Sequence, residues 1–450
     1  MYNVVCSFMF ITRKDNTMRK VITYGTFDLF HQGHYNILKR AKEQGDYLIV
    51  GVTSESYDIE RGKLSVKDSL TTRIENVMKT GFVDEVIIEE YLGQKIRDII
   101  KYDIDVLVIG DDWRGRFDHL KQYCDVVYLE RTKNISSTQI REQSGNIFRI
   151  GIVTDDTNDN SVIDEVKYVS GLHVENVLAP NEEIGKAFCE KYPVDRYHTN
   201  FDEFAQGLDI VIVSTQLEKR EEYVRKAIDA GKHVIVASPI TMEKDVLAEL
   251  LDKAHEKGLA LIENITTVYL RAFTQLLWMV QGDIVGNVHS VKCSLSSSSF
   301  RNKKSYIDME TLGVTMMVKL LGTKFDNIIK RVAKNEDGEI KYANIFFTSG
   351  NSVGNIEIGV DIELEDEMVI VGDNSTIVVK DDWWNTGYFE LKDYNEKFVK
   401  KYSYNFEGTG FRYILQELLI MLRDKRSECT RLFTDESLAI VDVINQIDEK

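Results

Sequence analysis

From Met18 onward, short β-branched runs alternate with stretches of helical spacing. KVITYG (20–25) has the composition of a buried strand. HYNILKRAKEQG (34–45) repeats its apolar positions every three and four residues and stops at Gly45. YLIVGVT (47–53) is the second strand, followed by a charged loop, ERGKLSVKDS, and a helix near Thr72–Thr80. DEVIIEE, QKIRDIIKYD, DVLVIG, RFDHLKQYC and DVVYLE then complete strand, helix, strand, helix, strand. Such alternation specifies a doubly wound parallel sheet with helices on both faces. Ligands bind it beyond the strand carboxyl ends, at the topological switch point.

A second alternation starts near Ile147. FRIGIVT (148–154), HVENVLA (173–179), DIVIVST (209–215) and KHVIVAS (232–238) are its strands, and the parallel α/β pattern runs to about Glu263. A helix over Thr267–Gln281 follows. SVKCSLSSSS, and IFFTSG through VGNIEIGVDIEL, then alternate like an open sheet with one face buried. The helical stretches GFRYILQELLIMLRDK and DESLAIVDVINQID close the chain.

At 450 residues the chain exceeds what one core supports, so two or three domains are expected. The formal net charge of −17 excludes a general nucleic-acid binder, which needs a basic surface. Anionic ligands must then be held by local cations and helix N-termini. No apolar run is long enough to span a bilayer, so no membrane insertion is expected. The first 17 residues lack the basic start and small-residue cleavage site of a signal peptide. Five widely spaced cysteines, none in a CxxC pair, fit reduced thiols in a cytoplasmic protein and give no metal site.

The chemistry concentrates after the first strand, in Gly25-Thr26-Phe27-Asp28-Leu29-Phe30-His31-Gln32-Gly33-His34. A glycine turn leading into a helix brings backbone N–H groups and partial positive charge to a phosphate. Imidazoles at i and i+3 there can donate hydrogen bonds to charge building on a nucleotide's α-phosphoryl oxygens. An HxxH pair alone is as readily two surface histidines, and a zinc site lacks a third ligand. Other groups share the same sheet edge. Arg131-Thr132-Lys133-Asn134-Ile135-Ser136-Ser137-Thr138 follows the fifth strand and opens a helix as a second phosphate cradle, and Gly110-Asp111-Asp112-Trp113 ends the fourth. Arg61 and Lys63 in the loop after the second strand, and Arg73 on the next helix, supply cations for a second phosphate.

Residues 19–141 resemble the glycerol-3-phosphate cytidylyltransferases of wall teichoic acid synthesis. RKVITYGTFDLFHQGH, GDYLIVGV, VDEVI, DVLVIGDDWRGRFDHLK and VVYLERTKNISSTQIRE carry the match. HxGH alone marks the wider superfamily, adenylyltransferases included; its pairing with GDDW and RTxxISST is narrower. The resemblance implies that His31, His34 and Arg131 stabilise transfer at the α-phosphorus. It also implies that Thr26, Phe27, Asp28, Gly33, Asp111, Trp113, Thr132, Ile135, Ser136, Ser137 and Thr138 hold CTP. Lys63, Arg73 and Arg61 would meet the polyol phosphate, with Mg²⁺ carried on the CTP phosphates rather than in a protein cage. The basic pattern of ERGKLSVKDS departs from the family's lysine-rich loop and runs about one residue longer, which leaves the acceptor less defined than the reaction.

From about Arg149 the chain resembles the Gfo/Idh/MocA oxidoreductases, through RIGIV, DIVIVST, AIDAGKHVIV with SP, GLALIEN, TLGVTMMVKLLG and TDESLAIVDVI. That resemblance brings NAD(P) with it, and the residues argue against the cofactor. Where glycines should meet the diphosphate stands Thr154-Asp155-Asp156-Thr157-Asn158-Asp159. The ribose-binding acid is replaced by Ala179-Pro180-Asn181, the Glu-Lys-Pro motif by Ala237-Ser238-Pro239, and the family's Asp and His by Thr311 and Thr315.

The expected architecture is therefore α/β. It comprises a tail over 1–17, a Rossmann-like nucleotidyltransferase domain over 18–145, and a second Rossmann-type domain over 146–265. An α+β domain with an open, mainly antiparallel sheet over 266–450 completes it. The expected function couples CTP to a small polyol phosphate, glycerol 3-phosphate foremost, for teichoic acid or capsule-type polymers. The second region is expected to lack oxidoreductase activity, and a homodimer is expected. A bifunctional enzyme whose second region reduces the polyol precursor, and a non-catalytic nucleotide-sensing or assembly protein, remain open at this point.

Overall fold

A computed structural model describes residues 18–60, 66–91, 93–130, 147–157, 161–169, 171–300, 305–394, 399–404, 406 and 408–448. These form two compact units, residues 18–59 with 66–130, and residues 147–448.

In the first unit the strands are β1 (Lys20–Gly25), β2 (Tyr47–Thr53), β3 (Glu85–Glu89), β4 (Val106–Gly110) and β5 (Asp125–Leu129). They form a parallel sheet in the order β3-β2-β1-β4-β5. Strand alternation sends Val21, Leu48, Val50, Val106 and Val108 to one face and Ile22, Ile49, Leu107 and Ile109 to the other. Helices α1 (Gln32–Lys42) and α3 (Leu70–Met78) cover the first face, and α4 (Gln94–Tyr102) the second. The short α2 (Glu55–Glu60) follows β2. Gly51 in β2 is required by packing, since a Cβ there would lie 2.2 Å from the Tyr24 ring. Order reverses at β1, so the switch point lies between the ends of β1 and β4.

The second unit holds β6 (Phe148–Thr154), β7 (Leu172–Leu178), β8 (Arg196–His198), β9 (Ile210–Ser214), β10 (His233–Ala237) and β11 (Leu261–Asn264). All pair in parallel, in the order β11-β10-β9-β6-β7-β8. Strands β12 (Val288–Ser296), β13 (Asn327–Lys334), β14 (Ile340–Ser349), β15 (Ser352–Gly359), β16 (Met368–Gly372), β17 (Ser375–Val379), β18 (Tyr388–Asp393) and β19 (Val399–Ser403) follow. They build the open sheet in the order β13-β14-β15-β12-β16-β17-β18-β19, antiparallel except where β12 meets β15. The helix Tyr306–Leu321 lies against it and shares one core with both sheets.

Three helices differ from expectation. RFDHLKQYC gives only a 3-10 turn, Asp118–Gln122, because Leu120 alone of its five residues is buried. Thr267–Gln281 is broken at Leu270, whose extended backbone separates Thr266–Tyr269 from Arg271–Gln281. The first helix begins at Gln32 and ends at Lys42, so His34 lies inside its first turn. Among the described residues no helix is long and apolar enough to cross a membrane.

Candidate active site

The chain leaves β1 at Gly25 and turns through Thr26–Phe30 into α1. Phe27 and Leu29 take left-handed backbone angles, φ 54° and 48°, a conformation that side chains other than glycine resist. His31 is the N-cap of α1, and its Nδ1 accepts the Gly33 N–H at 3.0 Å. A neutral ring that accepts at Nδ1 carries its proton on Nε2, so His31 presents a donor. His34 stacks on His31 with centroids 3.9 Å apart, flanked by the Phe27 and Phe30 rings at 5.4 and 5.5 Å. Both imidazoles thus sit at the positive end of an 11-residue helix, beside the switch point.

Thr26, Phe27, Asp28, Gly33 and the two histidines come together in this turn. Asp28 is buried, and its Oδ1 accepts the backbone N–H groups of Lys67 and Asp68, each at 2.9 Å. Asp111 and Trp113 form the 3-10 turn after β4, which neighbours β1, so they stand at the same edge. Arg116 lies over the Trp113 ring at 5.4 Å, and Phe117 lies 6.1 Å from it. Arg40 on α1 donates to the Glu130 carbonyl at 2.7 Å, fixing the chain just before Arg131. Arg61, Lys63, Arg131, Thr132, Ile135, Ser136, Ser137 and Thr138 lie outside the described residues.

Arg73 is not the surface cation its sequence position suggests. It is fully buried on α3, its Nη1 donating to the Thr26 and Thr53 carbonyls at 2.9 and 2.8 Å and its Nε to the Asp68 carbonyl at 3.1 Å. Its Nη2 is buried, with no hydrogen-bond partner among the described residues. Sequence reasoning also missed Asp58 on α2, fully buried, which accepts the Thr26 hydroxyl at 2.9 Å and pairs with Arg73 at 3.4 Å. A second cluster went unforeseen on the α4 side of the sheet. Lys95 pairs with Glu89 and lies 4.4 Å from the centroid of the Tyr24 ring, while Tyr24 donates to Asp98 at 3.1 Å. Burial, reinforced by Asp98, pushes the Tyr24 phenol far up, so it stays a neutral donor. Nothing in local spacing marks these residues, because their partners lie up to 74 positions away.

The turn after β6, where a dinucleotide diphosphate would lie, is closed by the chain itself. Asp155 accepts the Gln216 N–H at 3.0 Å and pairs with Lys219 at 2.6 Å. The Thr157 carbonyl accepts from Lys191 and Tyr192 at 2.9 and 3.1 Å. A carboxylate standing at that position repels a diphosphate, so the residues do not fit NAD(P). Asn181, at the end of the second strand, serves as a helix N-cap instead of a ribose ligand. Thr311 and Thr315 are buried within their helix, where the Thr315 hydroxyl donates to the Thr311 carbonyl. Among the described residues no three His, Cys, Asp or Glu side chains group as a metal site.

Stacked imidazoles at a helix N-terminus, at the switch point of a five-stranded parallel sheet, have the arrangement that nucleotidyl transfer needs, and the relatives place the chain among the α/β nucleotidyltransferases. Residues 22–143 match the cytidylyltransferase-like family. Over 130 residues the chain is 52% identical to glycerol-3-phosphate cytidylyltransferase of Bacillus spizizenii, covering 29% of this chain and 100% of that protein. The enzyme of the same name from Staphylococcus aureus is 46% identical over 126 residues, 28% of this chain and 95% of that protein. Through its first unit the chain belongs to the glycerol-3-phosphate cytidylyltransferase family, and it is a nucleotidyltransferase. Residues 158–265 match the oxidoreductase family with an NAD-binding Rossmann fold, a match that begins just past the closed turn. A solved structure of KijD10, a 3-ketoreductase from Actinomadura kijaniata in complex with NADP and TDP-benzene, shares 14% identity at a TM-score of 0.58. It covers 68% of this chain and 98% of that one, a likeness of fold.

Proposed function

We propose that the first unit couples CTP to glycerol 3-phosphate, giving CDP-glycerol and pyrophosphate for teichoic acid or capsule-type polymers. A phosphate oxygen of the acceptor attacks the α-phosphorus of CTP in line, and the bond to the β-phosphate breaks. The His31 Nε2–H and the His34 ring meet the charge that builds on the α-phosphoryl and leaving oxygens, beside the N-terminus of α1. Mg²⁺ travels on the CTP phosphates and neutralises part of their charge. Asp111 and Trp113 lie at the nucleoside, and Arg131 to Thr138 hold the triphosphate. Arg61 and Lys63 meet the acceptor phosphate, while the buried Arg73 acts from behind the turn by holding the Thr26 carbonyl. The observation that carries this reading is the stacked His31–His34 pair, with the His31 tautomer set by Gly33.

The second unit, in this reading, works without hydride transfer as a retained scaffold, and the protein is a homodimer, which light scattering on the eluted protein would measure. The deciding experiment is pyrophosphate release from CTP, and from ATP for comparison, with glycerol, ribitol, erythritol and arabinitol phosphates. Turnover with CTP and glycerol phosphate, lost in His31→Ala, is expected. No consumption of CTP with any acceptor would sink the proposal.

A further inference from the structure

The turn that presents the two histidines is strained and is held from outside itself. Phe27 and Leu29 both lie in the left-handed region, which side chains other than glycine resist and which persists only where surrounding contacts over-determine it. Those contacts come from the segment on either side of residues 61–65. On the leading side, Asp58 of α2 accepts the Thr26 hydroxyl and pairs with Arg73, whose Nη1 also grips the Thr26 carbonyl. On the returning side, the Asp68 carboxylate accepts the Leu29 N–H at 3.0 Å. The Asp68 and Lys67 backbone N–H groups donate in turn to Asp28. The Asp68 carbonyl accepts from Arg73, which closes the ring of bonds.

We propose that Asp58 and Asp68 are positioning residues that hold the Thr26–Phe30 turn in its left-handed form, and so set His31 and His34 for the transition state. The inference rests on the transfer reaction proposed above. Neither carboxylate needs to touch substrate. Each acts through a turn residue, Asp58 through Thr26 and Asp68 through Leu29. CTP keeps its proposed contacts at the β4 edge and in Arg131 to Thr138, so loosening the turn costs rate, as the donors lose their aim, more than CTP affinity. A displacement of about 1 Å at reacting groups costs on the order of a hundredfold in rate.

The test is steady-state kinetics of the full chain with CTP and glycerol 3-phosphate, together with the melting temperature of each variant. Asp68 is only half-buried, so Asp68→Ala should fold even if Asp58→Ala does not. Asp68→Ala is expected to lower kcat roughly ten- to a hundredfold, with the KM for CTP within about threefold of wild type. Asp68→Asn keeps an oxygen for the Leu29 N–H and is expected to recover kcat to within about threefold. Asp58→Asn, which keeps the acceptor for Thr26, should likewise exceed Asp58→Ala. The inference is overturned if folded Asp68→Ala turns over like wild type, if both KM values rise at constant kcat, or if Asp68→Asn is as slow as Asp68→Ala. An inactive wild type would instead sink the reaction itself, so the two failures are told apart.

Discussion

At the scale of single residues, His31 and His34 differ in what their loss should do. The His31 Nδ1 caps the first turn of α1, so His31→Ala removes both a transition-state donor and a helix cap. His34→Ala removes a ring packed between Phe27 and Phe30. Loss of one oxyanion-type donor costs about 10²–10³ in kcat, and each variant is expected in that range with a small change in the KM for CTP. His31→Asn restores the cap without the imidazole and should recover melting temperature but not rate. Rate recovery in that variant would show that capping, not donation, is the role of His31. Glu263, at the end of β11, offers a different test. Burial pushes its carboxyl up, against the opposing pull of the Ser238 and Ser437 hydroxyls and Arg220. A carboxyl raised on folding holds its proton longer in the native state. Stability is therefore unaffected below the unfolded value and falls as pH rises from there through the folded one. Glu263→Gln is expected to match wild type in melting temperature near pH 4 and to exceed it at pH 8. An equal offset at both pH values would refute the assignment.

At the scale of elements, a buried pair ties distant segments of the second unit. Glu165, in the helix Ser161–Val166, takes the Arg412 Nε at 2.5 Å and Nη2 at 3.1 Å, together with the Thr409 and Arg412 N–H groups. The Arg412 guanidinium lies 3.7 Å from the centroid of the Tyr168 ring. Glu165→Ala takes the carboxylate away from that buried cation, a loss of about 3–5 kcal/mol, whereas Glu165→Met with Arg412→Met should recover much of it. Urea midpoints of the second unit measure both; a double variant no better than the single would argue against charge burial as the cost. This pair also shows what the sequence conceals. The strands were legible because β-branched runs such as VITY and YLIVGV can hardly be anything but buried strands. The turn was legible because Gly25 and the two histidines sit within ten positions. The Glu165–Arg412 pair spans 247 positions and the Arg73 bonds to Thr53 and Thr26 span 20 and 47. A cation's burial is decided by carbonyls that only the fold assembles, which is why Arg73 looked like a solvated ligand. Asp58 was hidden for the same reason, in an acidic stretch that local spacing assigns to solvent.

At the scale of the whole molecule, two doubly wound sheets treat their first turn in opposite ways. In the first unit the turn after β1 carries a glycine, a helix N-terminus and two imidazoles, the elements of the phosphate site proposed above. In the second unit the turn after β6 is spent on internal contacts. Asp155 already satisfies the Gln216 N–H and the Lys219 ammonium. A diphosphate entering there would have to displace that carboxylate or stand beside it. Two like charges at 4 Å repel by about 1 kcal/mol in water and about 4 at the effective dielectric of a protein surface. A dinucleotide brings two negative charges to this turn. The sequence from Thr154 to Asn160 holds no glycine of the kind that lets a backbone approach a diphosphate closely. The expected outcome of titrating the full protein with NADH or NADPH, followed by the fluorescence of the nicotinamide ring, is a linear response without saturation up to about 1 mM, roughly −4 kcal/mol or weaker. CTP titrated into the same sample and followed by calorimetry should saturate, which shows the protein to be competent. A micromolar dinucleotide constant would mean that the Asp155–Lys219 pair opens at little cost, and it would return the second unit to the oxidoreductases whose fold it shares.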